Sequence, residues 1–348
     1  MRLERRDAPP ASLILLSIGL VVGLMALSGS VLIYAAGAPV WASWGAMFNG
    51  AFGSKLAITE TLTRATPLMF TGLACALAFR SRLWNIGAEG QLYAGALAVA
   101  ALGSGAIDAP SVVLIPLLMF AAALAGAAML LGPALLKRYM NVDDVVTTLL
   151  LNFIMALFVS IMIQGPMRDP LAMGWPQTMN VLDAATLDKL IAQSRLHTGL
   201  LLGLALCALM ALVESRSVFG LQRRAVGLNP HAAHFAGIPA TRVLLWTAVG
   251  SGGLAGLAGA VEVMGLRGYV AGDLSPGYGY AGVIVAMLAQ LHPLGVPAAA
   301  MLVASVFVGA DAMSRAFNVP SFIADVMVSL SLLSMMGASF FLSYRVRR

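Results

Sequence analysis

Apolar stretches about twenty residues long recur along the whole chain, each long enough for a helix to cross about 30 Å of hydrocarbon. Only 10% of the residues are charged and 60% are hydrophobic, with a mean hydropathy of +0.89. A soluble enzyme of 348 residues would need far more polar surface, so that class is excluded. Glycine and alanine are frequent inside the stretches, where they let helix backbones approach closely in lipid. The expected fold is all-α and polytopic.

Ten spans give a consistent account: about 12–35, 57–79, 86–104, 111–136, 145–165, 197–214, 242–264, 278–291, 296–313 and 321–343. The third and eighth are short or interrupted by glycine. With the N-terminus inside, fourteen of the 21 Lys and Arg residues fall in cytoplasmic segments, which places both termini in the cytoplasm. The net charge of +6 comes from basic residues scattered at segment ends, a topology signal that does not point to nucleic acid. Arg2, Arg5 and Arg6 precede an apolar run from Leu13 to Ala35 that exceeds a signal-peptide core, so it reads as a retained helix. The chain then divides into an anchor helix and external loop (1–56), a first helical half (57–165), an external loop (166–196), a linking span (197–214), a cytoplasmic loop (215–241) and a second half (242–343). Together they form a single transmembrane domain over 1–348.

Cys75 and Cys207 lie inside apolar segments and read as unpaired core thiols. His197, His231, His234 and His292 lack metal-ligand spacing with them, so no metal site is expected. Arg64, at the start of the second span, reads as a snorkelling side chain, and Glu262 as a partner for Arg267.

Three polar constellations interrupt the apolar pattern. Trp84-Asn-Ile-Gly-Ala-Glu-Gly-Gln91 heads an apolar segment, and a carboxylate there calls for a reason, since charge near hydrocarbon costs several kcal/mol. Asn85, Glu89, Gln91 and Tyr93 can line a path for a polar, neutral solute. Asn85 can equally cap the helix, with Glu89 complementing its dipole. Asp143 and Asp144 suit the opening of the next helix, inside which Thr148 and Asn152 share a face, either bonding to a neighbouring helix or lining the path. Ser275 to Tyr280 is a second glycine-rich entry to a short helix, entered from the opposite side, and this suggests two inverted halves with a midplane path. Tyr278 and Tyr280 could stack on a solute there or belong to an interfacial aromatic belt.

A further constellation runs from Leu221 to Pro239. Asn229 can cap a short helix with Pro230 at its first position, Ala232 and Ala233 within it and Gly237 closing it. Gly227 and Arg223-Arg224 precede it. A small capped helix in the largest cytoplasmic loop suits docking into a partner's groove, with Arg223 and Arg224 meeting acidic surface.

Asn85-Ile-Gly-Ala-Glu-Gly-Gln91, Val145-Val-Thr-Thr-Leu-Leu-Leu-Asn152-Phe and Ala225-Val-Gly-Leu-Asn-Pro-His-Ala-Ala-His-Phe-Ala-Gly-Ile238 together resemble the permease subunits of ABC importers. The resemblance is to the nucleoside and simple-sugar branch, near the ribose and branched-chain amino-acid permeases, and covers about 57–342. It implies a type II-importer-like fold in the bacterial cytoplasmic (inner) membrane, and import of nucleosides or simple sugars. It also implies partners: a second permease forming a homo- or heterodimer, ABC ATPase subunits and an external substrate-binding protein. The chain contains no GxxxxGK[ST] run, so it cannot cradle ATP phosphates itself; the resemblance implies that it binds no cofactor, is not itself an enzyme, and that ATP is used by the partner ATPase. The alternative is an ion-coupled secondary transporter using Glu89 or Glu262 as its titrating group.

Overall fold

The computed structural model describes residues 2–5, 11–320, 322–323, 325–330, 333–334 and 344–347. The described chain is helical, apart from a short antiparallel pair between β1 (Arg2–Arg5) and β2 (Tyr344–Arg347). Its main helices are α1 (Ala11–Ala35), α2 (Val40–Phe52), α3 (Lys55–Phe79), α4 (Ala88–Gly103), α5 (Ser111–Met140) and α6 (Asp144–Gln164). There follow α7 (Gly199–Arg216), α8 (Val218–Leu228), α9 (Pro230–Phe235), α10 (Ala240–Glu262), α11 (Tyr278–Leu288) and α12 (Val296–Phe317).

Among the described residues, six segments are long and apolar enough to cross a membrane: α3, α5, α6, α7, α10 with its extension to Arg267, and Pro293–Phe317. They coincide with six expected spans. The first expected span, 12–35, is α1, whose Gly23–Ala35 part forms a pair with α2 bent by 117°. The external loop expected before residue 56 is the helix α2; its thirteen residues are too few for a span, which hid it in the sequence. The third and eighth expected spans fold as the short helices α4 and α11. At 1.5 Å per residue α4 reaches about 24 Å and α11 about 17 Å, less than the hydrocarbon thickness. The tenth expected span, 321–343, falls largely outside the described residues.

The chain forms two compact units, residues 62–301 and residues 1–61 with 302–348. In the smaller unit Trp44 Nε1 donates to Ser30 Oγ at 3.0 Å, tying α2 to α1, and Gly309 packs on the Met47 carbonyl.

The larger unit is built on α4, α5 and α10, which meet through small residues. A Cβ on Gly95 would lie 2.1 Å from the Gly256 carbonyl oxygen, and one on Gly126 2.2 Å from that of Gly252. Dispersion between backbones at this distance replaces the hydrophobic drive that lipid cannot supply. At its end α10 widens into a π turn over Val263–Arg267, closed by Gly268 at φ +80°. The segment 166–196 is pinned against that turn. Val181 N–H donates to the Gly268 carbonyl and Leu187 N–H to that of Met264, both at 2.8 Å. Leu187, Leu190 and Ile191, apolar positions spaced as on a helix face, form no helix; Leu187 alone of the three is buried.

Candidate functional site

The N-terminal ends of the two short helices meet. A Cβ on Gly279, in the first turn of α11, would lie 2.1 Å from the backbone nitrogen of Glu89, in the first turn of α4. Glu89 Oε2 accepts the Gly279 N–H at 2.6 Å, and the Ser275 hydroxyl also bonds this carboxylate. One carboxyl group thus faces the positive ends of two helix dipoles, which offsets part of the cost of burying it in an apolar wall. Tyr93 joins the same junction: its hydroxyl donates to the Gly272 carbonyl at 2.8 Å and accepts from Ser275 N–H at 3.2 Å. The two glycine-rich entries that resembled each other in sequence are in contact.

Behind this junction lies a buried, neutral network. Asn85 precedes α4, so it shares no helical face with Glu89 and is not the cap residue; Gly87 holds that position. Asn85 Oδ1 accepts from Gly87 N–H (3.0 Å) and Gln91 Nε2 (2.8 Å), while its Nδ2 donates to Gln91 Oε1 (2.9 Å) and Ser251 Oγ (3.0 Å). Ser251, halfway along α10, passes its own proton to the Ala74 carbonyl. Asn152 accepts from Gly90 N–H and donates to the Ile86 carbonyl, both at 2.9 Å. Thr148 Oγ1 accepts from Ile86 N–H at 3.3 Å. These amides and hydroxyls complete the backbone of the break before α4, so their hydrogen-bonding capacity is mostly spent inside the protein. Asp143 caps α6 as expected, accepting Val146 N–H at 3.0 Å. Asp144 goes further, binding Trp84 N–H at 2.6 Å and Lys137 Nζ at 2.5 Å.

The junction opens into a cavity of about 530 Å³. One stripe of α6 lines it (Asn152, Phe153, Ala156, Val159, Ser160, Ile163 and Gln164), opposite Glu89, Tyr93, Ser275 and Tyr280. No cation is among its lining residues. Tyr278 is buried, its carbonyl accepting from Thr71 Oγ1 at 2.9 Å, so it does not face this space; Tyr280 is 41% exposed and does.

The loop after α7 folds as two helices where one was expected. Asn229 Oδ1 accepts from His231 and Ala232 N–H at 3.0 and 3.1 Å, Pro230 opens α9, and Gly237 follows its end at φ +79°. These caps are as the sequence requires. Arg223, Arg224 and Gly227 lie on the preceding α8. Arg223 is 1% exposed and points inward, which corrects its expected role at a partner surface. Its guanidinium donates to the Leu77 carbonyl (2.5 Å), Ser81 Oγ (3.2 Å) and Glu214 Oε1 (3.2 Å). Burial lowers its pKa from the ordinary arginine value, and the Glu214 carboxylate opposes that effect. Arg80 pairs with the other Glu214 oxygen. Gly227 packs on the Arg80 carbonyl, and Arg224 donates to the Glu214 carbonyl at 3.1 Å. Ala233 is buried against Val226 and Val243, so Ala232, not Ala233, is on the outer face.

A family described as the branched-chain amino acid transport system permease component matches residues 57–336, which span both the α4–α11 junction and the α8–α9 loop. The chain belongs to this family. It is 33% identical over 336 residues to the glucose ABC transporter permease protein TsgB13 of Haloferax volcanii, covering 94% of this chain and 88% of that one. The guanosine ABC transporter permease protein NupP of Bacillus subtilis is 33% identical over 322 residues, with 91% and 90% covered. The nucleoside ABC transporter permease protein NupB of Lactococcus lactis is 32% identical over 298 residues, covering 83% and 82%. This chain is thus a multi-pass membrane permease subunit of an ABC transporter, not itself an enzyme.

Several residues of this permease escaped the sequence reading. Ser160 and Gln164 face the cavity from α6 in an otherwise apolar stripe; their spacing from Asn152, eight and twelve residues, was the available signal. Arg80 and Glu214 looked like ordinary charges at span ends, with nothing local to pair them. Phe235, at the end of α9, is 96% exposed, an apolar group left outside in a capped helix. Arg267 makes its ion pair with Asp273 at 3.7 Å instead of the expected Glu262, which is buried and feels the charges of Arg267 and Arg64.

Proposed function

We propose that this permease carries uncharged, hydrogen-bonding solutes, nucleosides or simple sugars, inward through a path lined by the α4–α11 junction. The supporting observation is the cavity itself: hydroxyls, two amides and one carboxyl group, with no cation to bind a phosphate. A neutral polyol or base can exchange hydrogen bonds with Ser160, Gln164 and Tyr280, whose capacity is not spent on the break before α4. The relatives named for glucose, guanosine and nucleosides support the same class. In this reading α4 and α11 are counterparts in two inverted halves, and a second permease completes the path.

The motor is a separate pair of ATPase subunits seated on α9, through the exposed Phe235, His231 and Ala232. An external binding protein delivers the solute, the membrane is the cytoplasmic one, and both termini lie in the cytoplasm. Arg223 supports this role from behind, fastening α8 to the end of α3, so that movement of the loop reaches the break at Asn85.

The test is uptake of radiolabelled guanosine and glucose into cells expressing the full transporter. Gln164→Leu and Tyr280→Phe should raise the half-saturating solute concentration several-fold at unchanged expression. Ala232→Trp should leave the fold intact, because Ala232 is exposed, and abolish co-purification of the ATPase. Uptake that follows a proton gradient and persists without ATP would overturn the reading.

A further inference from the structure

A second cavity, about 650 Å³, opens where the C-terminal end of α5 meets α9 and the start of α10. Its chemistry changes along the axis of α10. At the loop end stand Arg138, His234, Thr241 and Arg242; further along α10 come Leu245, Trp246 and Val249. Residues 242, 245, 246 and 249 occupy one helical face, so a single stripe of α10 runs from a guanidinium through an indole to aliphatic side chains. No acidic residue is among those lining it. Arg138 is held by a 2.5 Å bond from its Nε to Thr241 Oγ1, which leaves its two terminal nitrogens for another acceptor. Arg242 is exposed and makes no hydrogen bond or ion pair among the described residues. Trp246 is 60% exposed, an amphipathic ring one turn further along α10 from the charge.

Two guanidiniums without a carboxylate, above an apolar slot that enters a membrane span, match one occupant: a phosphodiester carrying acyl chains. We propose that this groove is a binding site for an anionic phospholipid such as phosphatidylglycerol. The phosphate lies between Arg138 and Arg242, and an acyl chain runs along Leu245, Trp246 and Val249. A soluble anion would use the loop end and leave the slot empty; a zwitterionic lipid would fill the slot but gain little from two arginines. Because His234 of α9 forms part of the rim, the headgroup also rests against the two-helix loop. The site is separate from the solute cavity and does not depend on what that cavity carries.

The purified permease, reconstituted in vesicles, tests this through the fluorescence of Trp246, isolated by subtracting the W246F variant. Dibromo-acyl phosphatidylglycerol should quench Trp246 at about a tenfold lower mole fraction than dibromo-acyl phosphatidylcholine, the preference expected of two arginines near a membrane surface. R138A/R242A should remove that preference and R138K/R242K should keep most of it, with circular dichroism unchanged in both. Inorganic phosphate at millimolar concentration should not displace the brominated lipid. Equal quenching by the two lipids, or a preference that survives R138A/R242A, would overturn the proposal. So would displacement by inorganic phosphate, which would mark an anion site that does not select lipid.

Discussion

Two buried polar centres in the larger unit solve different problems with different chemistry. The network around Asn85, Gln91, Ser251, Thr148 and Asn152 repairs a backbone break inside the helix bundle, and every member is neutral. The centre at the base of α8 is ionic, with Glu214 between Arg80 and Arg223. A carboxamide loses far less hydration on burial than an ion, so it suits a site halfway along a spanning helix. The ionic centre lies where α3 and α7 end; Arg80 keeps 30% of its side chain exposed, while Arg223 keeps 1%. Neutral groups complete the break, and charged groups fasten the loop that the ATPase is proposed to move. Glu89 belongs to neither kind: its carboxyl group meets two helix ends and the hydroxyl of Ser275, with no cation among the residues lining the cavity it faces.

The largest expected effect tests the ionic side. Glu214→Leu leaves a fully buried guanidinium without its carboxylate, and should cost about 3–5 kcal/mol, read as a fall in the melting temperature of the detergent-purified permease. Glu214→Gln keeps one acceptor oxygen for one of the two arginines and turns the other into an N–H donor, and should cost less than the leucine change. If the leucine variant melts like the parent, the ionic centre is not what holds α8.

On the neutral side, Asn85→Leu orphans the Gly87 N–H and the Gln91 amide, at about 1–3 kcal/mol for each buried group left unpaired. Adding Gln91→Leu should cost less than the sum of the two single changes, because the pair then leaves together. Additive costs in that double-mutant cycle would mean that the two amides do not act as a unit. A larger loss from Asn85→Leu than from Glu214→Leu would reverse the contrast between the two centres.

Glu89 sharpens the comparison through transport. Glu89→Gln retains an oxygen to accept the Gly279 N–H and should keep much of the ATP-driven uptake, whereas Glu89→Leu should lose it. Equal loss in both variants, together with uptake that tracks pH, would make Glu89 a coupling group and not a strut between helix ends.

The smallest effect concerns His197, just before α7, whose ring is buried against Gly265 and accepts the Gly199 N–H at 3.2 Å through Nδ1. Burial pushes its pKa down to about 4 from an ordinary 6.5. The folded protein therefore holds this histidine neutral while an unfolded chain gains a proton as pH falls below 6.5. Stability should decline between pH 6.5 and 4 and change no further, on this account, below 4. Melting curves of the parent and His197→Gln across that range test it; parallel curves would remove His197 as the cause.

Much of this architecture was readable from local pattern. Span length and hydropathy reported six spans, the glycine-rich stretches marked the two short helices, and Asn229, Pro230 and Gly237 specified α9 residue by residue. Each of these depends on groups a few positions apart in the chain, where helix geometry alone decides who meets whom. Tertiary structure decided the partners. Nothing near Glu89 in sequence indicates Gly279, 190 residues away, and nothing near Arg223 indicates Leu77 or Ser81. An arginine two turns into a basic, amphipathic helix looks solvated until packing buries it. Ala233 looked like outer surface until Val226 and Val243 closed over it. A lone charge or small residue carries no record of which distant backbone will come within 3 Å, because that distance is set by how close-packed helices cross.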